Sequence, residues 1–189
     1  MPLTSSHSTI RAAINNMRVI SGGGTNSAVG LAWGWRVLSP GVPFTQGRDP
    51  DEEDVRKVIV LMTDGENTNM NVTSEDDLLE SPYNAYGFRG QWTNFGDDMQ
   101  SEYRRSMSDS ESSYVAYVNN RLSRLCDNVK DDQIEIYTIV FREPSSSIRS
   151  LLRACATDTD HAFTAENADD LRQAFDAIGS GIGQLRLTR

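Results

Sequence analysis

The sequence predicts an α/β fold, a doubly wound and mostly parallel sheet with helices against its faces. Three observations carry that prediction. The run Lys57-Val58-Ile59-Val60-Leu61-Met62 is apolar after its first residue and rich in β-branched side chains, the pattern of a parallel strand buried on both faces. A second run, Ile134–Phe141, has the same character, and helical periodicities alternate with strand-like segments through the C-terminal half. The first run ends in the polar turn Thr63-Asp64-Gly65-Glu66-Asn67. A carboxylate at the carboxyl end of a buried parallel strand sits where open α/β sheets bind their ligands, which makes Asp64 the leading candidate for function.

In chain order, residues 8–17 predict a short helix with Ile10, Ala13, Ile14 and Met17 on one face. The glycine loop Ser21-Gly22-Gly23-Gly24-Thr25-Asn26-Ser27 follows. It leads into a second helix with Ala28, Leu31, Ala32, Trp35 and Leu38 on its buried side. Glycines let the backbone turn sharply and approach a ligand closely, and Thr25 or Asn26 is suited to cap the helix. Residues 39–55 read as a surface connection. Their acids (Asp49, Asp51, Glu52, Glu53, Asp54) suggest a calcium loop, but Asp54 and Val60 stand where that loop needs Gly and Glu, so a solvated turn is expected.

Residues 67–111 have no sustained period, carry far more acids than bases, and include Tyr83, Tyr86, Phe88, Trp92, Phe95 and Tyr103. Such a stretch reads as an insertion, either a binding loop or a satellite mini-core. A helix at 112–129 follows, with Val115, Val118, Leu122, Leu125 and Val129 on one face. After it come the 134–141 strand, a helix at 147–155 and a strand at 162–164. The last helix, 168–183, has Asn167 as N-cap and Leu171, Phe175, Ile178 and Ile182 facing inward. Three strands are few for a sheet that must protect its faces and edges. The chain therefore reads as one partial domain over 1–189, with an insertion at about 67–111.

Composition narrows the function classes. With 27 acidic against 18 basic side chains the net charge is -9, which repels phosphate backbones and anionic headgroups, and nucleic acid is not an expected partner. No apolar run approaches the roughly 18 residues of a membrane span, and the N-terminal residues have the pattern of no export signal. Cys126 and Cys155 lack CxxC spacing and histidine partners, and by composition alone they read as buried thiols ahead of a disulfide. His7 and His161 lie in no recognisable triad and read as surface or packing residues.

Thr25 offers a neutral hydroxyl oxygen and Asp64 an anionic one. Both are hard ligands suited to Mg²⁺, Mn²⁺ or Ca²⁺. Each also has an ordinary explanation, Thr25 as a helix cap and Asp64 as an Asx-turn former.

Taken together, Gly23-Gly24-Thr25-Asn26-Ser27, the helix after it, and Val58-Ile59-Val60-Leu61-Met62-Thr63-Asp64-Gly65-Glu66 resemble the second and third loops of the metal-ion-dependent adhesion site in von Willebrand factor A domains. That fold is Rossmann-like. The resemblance implies that Thr25 and Asp64 hold a divalent cation, directly or through water, flanked by Gly23, Gly24, Asn26, Ser27, Gly65 and Glu66, with a partner's carboxylate completing the coordination. Leu31-Ala32-Trp33-Gly34-Trp35-Arg36, Tyr83-Asn84-Ala85-Tyr86-Gly87, Leu152-Arg153-Ala154-Cys155-Ala156 and Leu185-Arg186-Leu187-Thr188 are similar to the C-terminal part of TadG-like proteins of the bacterial tight-adherence (Flp pilus) system. That similarity implies an extracytoplasmic cell-envelope location, periplasmic or surface, a membrane anchor in the full-length relatives, and protein partners among pilus or envelope components. An oxidising compartment in turn favours a Cys126–Cys155 disulfide. The Asp-x-Ser-x-Ser loop of the adhesion site does not occur in this sequence, nor do the first strands of the fold, so weak cation binding is expected from this chain alone.

The leading expectation is thus a non-enzymatic binding module of the bacterial envelope. A metal-dependent or phosphate-handling enzyme using Asp64 and the Gly22–Thr25 loop is the first alternative, although no P-loop lysine follows the glycines. A metal-free structural interaction domain is the second.

Overall fold

The computed structural model describes residues 1–18, 24–49, 52, 55–68, 83–84, 87–88, 111–142 and 145–184. Two compact units emerge: Met1–Asp49 with Asn67–Arg121, and Pro50–Glu66 with Leu122–Arg189. Most of the predicted insertion lies outside the described residues, as do Gly22 and Gly23.

In the first unit, helix α1 (His7–Asn15) starts at Ser6, whose Oγ accepts the Thr9 N–H at 3.3 Å. Its predicted apolar face is not buried: Ile14 is 57% and Met17 75% exposed. Helix α2 (Ser27–Leu38) is capped by Asn26, whose Oδ1 accepts the Val29 N–H at 3.0 Å. Ala28 and Leu31 are buried on it. Strand β1 (Lys57–Thr63) belongs to the other unit, while β2 (Tyr83–Asn84) and β3 (Gly87–Phe88) form a two-residue antiparallel ladder here. Helix α3 (Glu111–Asp131) begins in this unit, with Tyr114, Tyr117 and Val118 buried, and its later half belongs to the second.

The second unit is a three-stranded, all-parallel sheet with helices on both faces. Its strand order is β1-β4-β5, with β4 at Ile134–Phe141 and β5 at Ala162–Ala165. Helix α4 (Ser146–Cys155) connects β4 to β5, and α5 (Ala168–Gln184) closes the chain. Parallel strands need such crossovers, and burial on both faces explains why β4 is apolar almost throughout. One face of β4 presents Tyr137 and Ile139, which form a core with Ala165 and with Ala174 and Ile178 of α5. The opposite face presents Ile134, Ile136, Thr138 and Val140, all buried. On that side the buried residues are Ile148, Leu152 and Cys155 of α4 and Leu122, Cys126 and Val129 of α3.

Two expectations are corrected. The β1 run reads as buried on both faces, yet β1 is an edge strand among the described residues, and only alternate positions are fully buried. Val60 and Met62 point to the less covered face and are 38% and 43% exposed. On α5, Phe175 and Ile182 are also exposed, at 47% and 38%. The inward stripe is Leu171, Ala174, Ile178 and Gly181, because small residues let this helix lie close to the sheet. A Cβ on Gly181 would stand 3.3 Å from the Tyr137 hydroxyl. The Asn167 cap is present: its Oδ1 accepts the Asp169 and Asp170 N–H groups at 2.9 and 3.0 Å, while Asp170 Oδ2 accepts from the Glu166 N–H at 3.0 Å. This reciprocal arrangement satisfies donors that a helix start leaves unpaired.

Candidate functional site

Asp64 lies immediately after β1, at the carboxyl edge of the parallel sheet. The turn is closed by its neighbour. Thr63, buried at 7% exposure, donates its hydroxyl to the Gly65 carbonyl at 2.9 Å and accepts the Gly65 N–H at 3.3 Å. The Asx-turn explanation for Asp64 is therefore not what the structure contains, since a threonine-based turn takes that place. The Asp64 carboxylate is exposed and has no hydrogen-bond or ion-pair partner among the described residues. Glu66, also exposed, accepts a long 3.5 Å contact from the Ser147 hydroxyl at the start of α4. The helices α4 and α5 both begin at this edge, where helix N-termini and loops gather in open α/β sheets.

Thr25, Asn26 and Ser27 belong to the first unit. Thr25 pairs through its backbone with Thr68: its N–H donates to the Thr68 carbonyl at 3.1 Å and to the Thr68 hydroxyl at 3.0 Å, and the Thr68 N–H returns to Thr25 at 2.9 Å. Asn26 is the cap, which leaves the half-buried Thr25 hydroxyl without a partner among the described residues. Ser27 is held by Asn67, which is fully buried. Asn67 Oδ1 accepts the Ser27 N–H at 2.8 Å, and its Nδ2 donates to Asn119 Oδ1 at 2.7 Å. A buried amide with both ends satisfied fixes the backbone around it. The sequence does not single out Asn67, because a lone Asn after a turn has no distinguishing pattern.

The amino end of the sheet carries a second group of charges. Arg56, just before β1, forms a two-pronged pair with Glu135 of β4, with Nε at 2.6 Å from Oε1, and also donates Nη1 to the Gly181 carbonyl at 3.1 Å. This pairing holds the Glu135 carboxyl below its ordinary pKa, mainly through the Arg56 hydrogen bond, and raises that of Arg56. His161 packs on the Tyr137 ring, centroid to centroid 4.2 Å, and its Nδ1 lies 2.6 Å from Asp158 Oδ1. Its Nε2 lies 3.5 Å from Glu135 Oε2, so the ring stands between two carboxylates. The same end holds a Cys126–Cys155 disulfide, Cα to Cα 5.1 Å, joining α3 to the end of α4.

Among the described residues no group of three or more His, Cys, Asp or Glu side chains is arranged to hold a metal ion. A single carboxylate such as Asp64 binds a hard cation with further oxygens around it, from water or a partner. No described helix is long and apolar enough to cross a membrane.

No family model and no curated protein matches the chain. Among solved structures it is similar to proximal thread matrix protein 1 from the mussel byssus, at 16% identity and a TM-score of 0.48. The match covers 94% of this chain and 29% of that one.

Proposed function

We propose that this chain is part of a bacterial envelope module that binds a protein partner through a divalent cation at Asp64, acting in adhesion or pilus assembly and not as an enzyme. The observation that carries the reading is the Asp64 carboxylate: exposed, unpartnered among the described residues, and relieved of any turn-forming duty by Thr63. Thr25, the other residue named by the resemblance to von Willebrand factor A domains, likewise has a hydroxyl with no partner among the described residues, because Asn26 performs the capping. The disulfide supports an oxidising, extracytoplasmic compartment. The resemblance to TadG-like proteins supports the pilus context.

Titration with Mn²⁺ by calorimetry, with acetate as a stand-in for a partner's carboxylate, tests the reading. Weak binding that acetate strengthens, and that is lost in Asp64→Ala, is the expected result. Coincident titrations of the wild type and Asp64→Ala would remove the cation and leave a metal-free interaction domain.

A further inference from the structure

Between α4 and β5, on the sheet face opposite α5, lies a cavity of about 310 Å³, near the lower limit for small-molecule sites. Arg149, Ser150 and Arg153 of α4 form one wall. Thr138 and Val140 of β4 form the floor with Thr164 of β5. The placement follows from the fold. Ile148, Leu152 and Cys155 are the buried stripe of α4, so Arg149 and Arg153 lie about 100° round the helix, one turn apart, on the flank beside β5. The register pairs Thr138 with Ala162 and Val140 with Thr164, which sets these residues on one sheet face.

Two features set this cavity apart from an ordinary surface cleft. Neither arginine side chain has a partner among the described residues, although the chain carries nine more acidic than basic groups. Like charges one turn apart repel, so the pair lowers helix stability unless something anionic lies between them. A position in the last turn accounts for Arg153 through the helix dipole, but not for Arg149. The second feature is Thr138. It is 1% exposed, lines the cavity, and its hydroxyl has no hydrogen-bond partner among the described residues. A buried hydroxyl left unpaired costs stability, and a ligand oxygen would satisfy it.

We propose that this cavity binds a small organic oxyanion, a phosphate monoester or a carboxylate, with Arg149 and Arg153 holding the anionic oxygens and the Thr138 hydroxyl donating from the floor. Val140 and Ala162 offer an apolar surface for the organic part. The proposal is independent of Asp64.

The test is calorimetric titration of the full, disulfide-intact chain with inorganic phosphate, phenyl phosphate and benzoate, in chelator to remove divalent cations. Phenyl phosphate should bind more tightly than inorganic phosphate, and the benzoate arm distinguishes a carboxylate site from a phosphate site. Arg149→Gln and Arg153→Gln should each weaken binding about tenfold. The double variant should abolish it, while Arg172→Gln leaves it unchanged. Thr138→Val should weaken binding and raise the melting temperature at once, a combination that a purely structural threonine does not give. Equal affinity in the double variant, or no heat from any of the three probes with the wild type, overturns the site. A Thr138→Val variant that binds normally removes Thr138 from it.

Discussion

The two ends of the parallel sheet treat charge in opposite ways. At the amino end Arg56 and Glu135 satisfy each other, Arg56 also reaches the Gly181 carbonyl, and His161 is held by Asp158 against Tyr137. The disulfide closes the same end, and Thr157 clips α4's exit to β4 by accepting the Ile136 N–H at 2.8 Å and donating its own N–H to the Ile136 carbonyl at 3.0 Å. At the carboxyl end Asp64 has no partner among the described residues and Glu66 only a 3.5 Å contact. A charge whose partners lie within its own fold contributes to stability. One left open at a ligand-binding edge is available to something outside it. Substitutions at the amino end should therefore change stability and those at the carboxyl end binding.

The largest effect should come from the disulfide. It closes a loop with a sequence separation of 29 that contains the whole of β4, the central strand. Chain-entropy arguments give about 3–4 kcal/mol for a loop of that length. Cys126→Ser with Cys155→Ser should lower the denaturant midpoint and steepen the slope, because the uncrosslinked chain exposes more surface on unfolding, measured by urea unfolding. A loss below about 1 kcal/mol would show that α3 and α4 are held by packing alone.

The elements of this lock were only partly legible in the sequence. Strands β1, β4 and β5 and the five α-helices among the described residues could be located from periodicity, because a central parallel strand must be apolar on both faces and its covering helices must alternate every three or four residues. Edge position was not legible. Val60 and Met62 look identical in sequence to the core residues Ile59 and Leu61, and only the strand order shows that their face of β1 is left more open. The inward stripe of α5 is hidden in the sequence for a related reason: Ala174 and Gly181 are inconspicuous there, but their small size is what allows close approach to Tyr137. Asp64 could be located from its strand and turn. Its lack of partners could not, since that depends on Thr63 closing the turn. Arg56 and Glu135 lie 79 residues apart, and pairing over such a distance leaves no local pattern.

An intermediate effect is expected at that pair. Because the folded Glu135 carboxyl titrates below its ordinary range, its contribution is complete above the unfolded-state pKa of about 4.3 and is lost as pH falls through the lower folded value. Glu135→Gln should cost about 1 kcal/mol at neutral pH, and the difference from the wild type should shrink below about pH 4. Thermal melts between neutrality and pH 3 check this. A constant difference across that range would assign the loss to packing instead of charge.

The smallest stability effect should be at Asp64 itself. Its carboxylate makes no contact among the described residues, and the turn beside it is held by the Thr63 hydroxyl, which Asp64→Ala leaves in place. Surface substitutions of this kind fall within about 0.5 kcal/mol of the wild type. Asp64→Ala should therefore melt with the wild type in chelator, yet fail to show the rise in melting temperature that Mn²⁺ gives the wild type by binding only the folded state. A variant that is destabilised in chelator would mean that Asp64 has a structural partner, and the distinction between the two ends of the sheet would fail at the residue on which the proposed function rests.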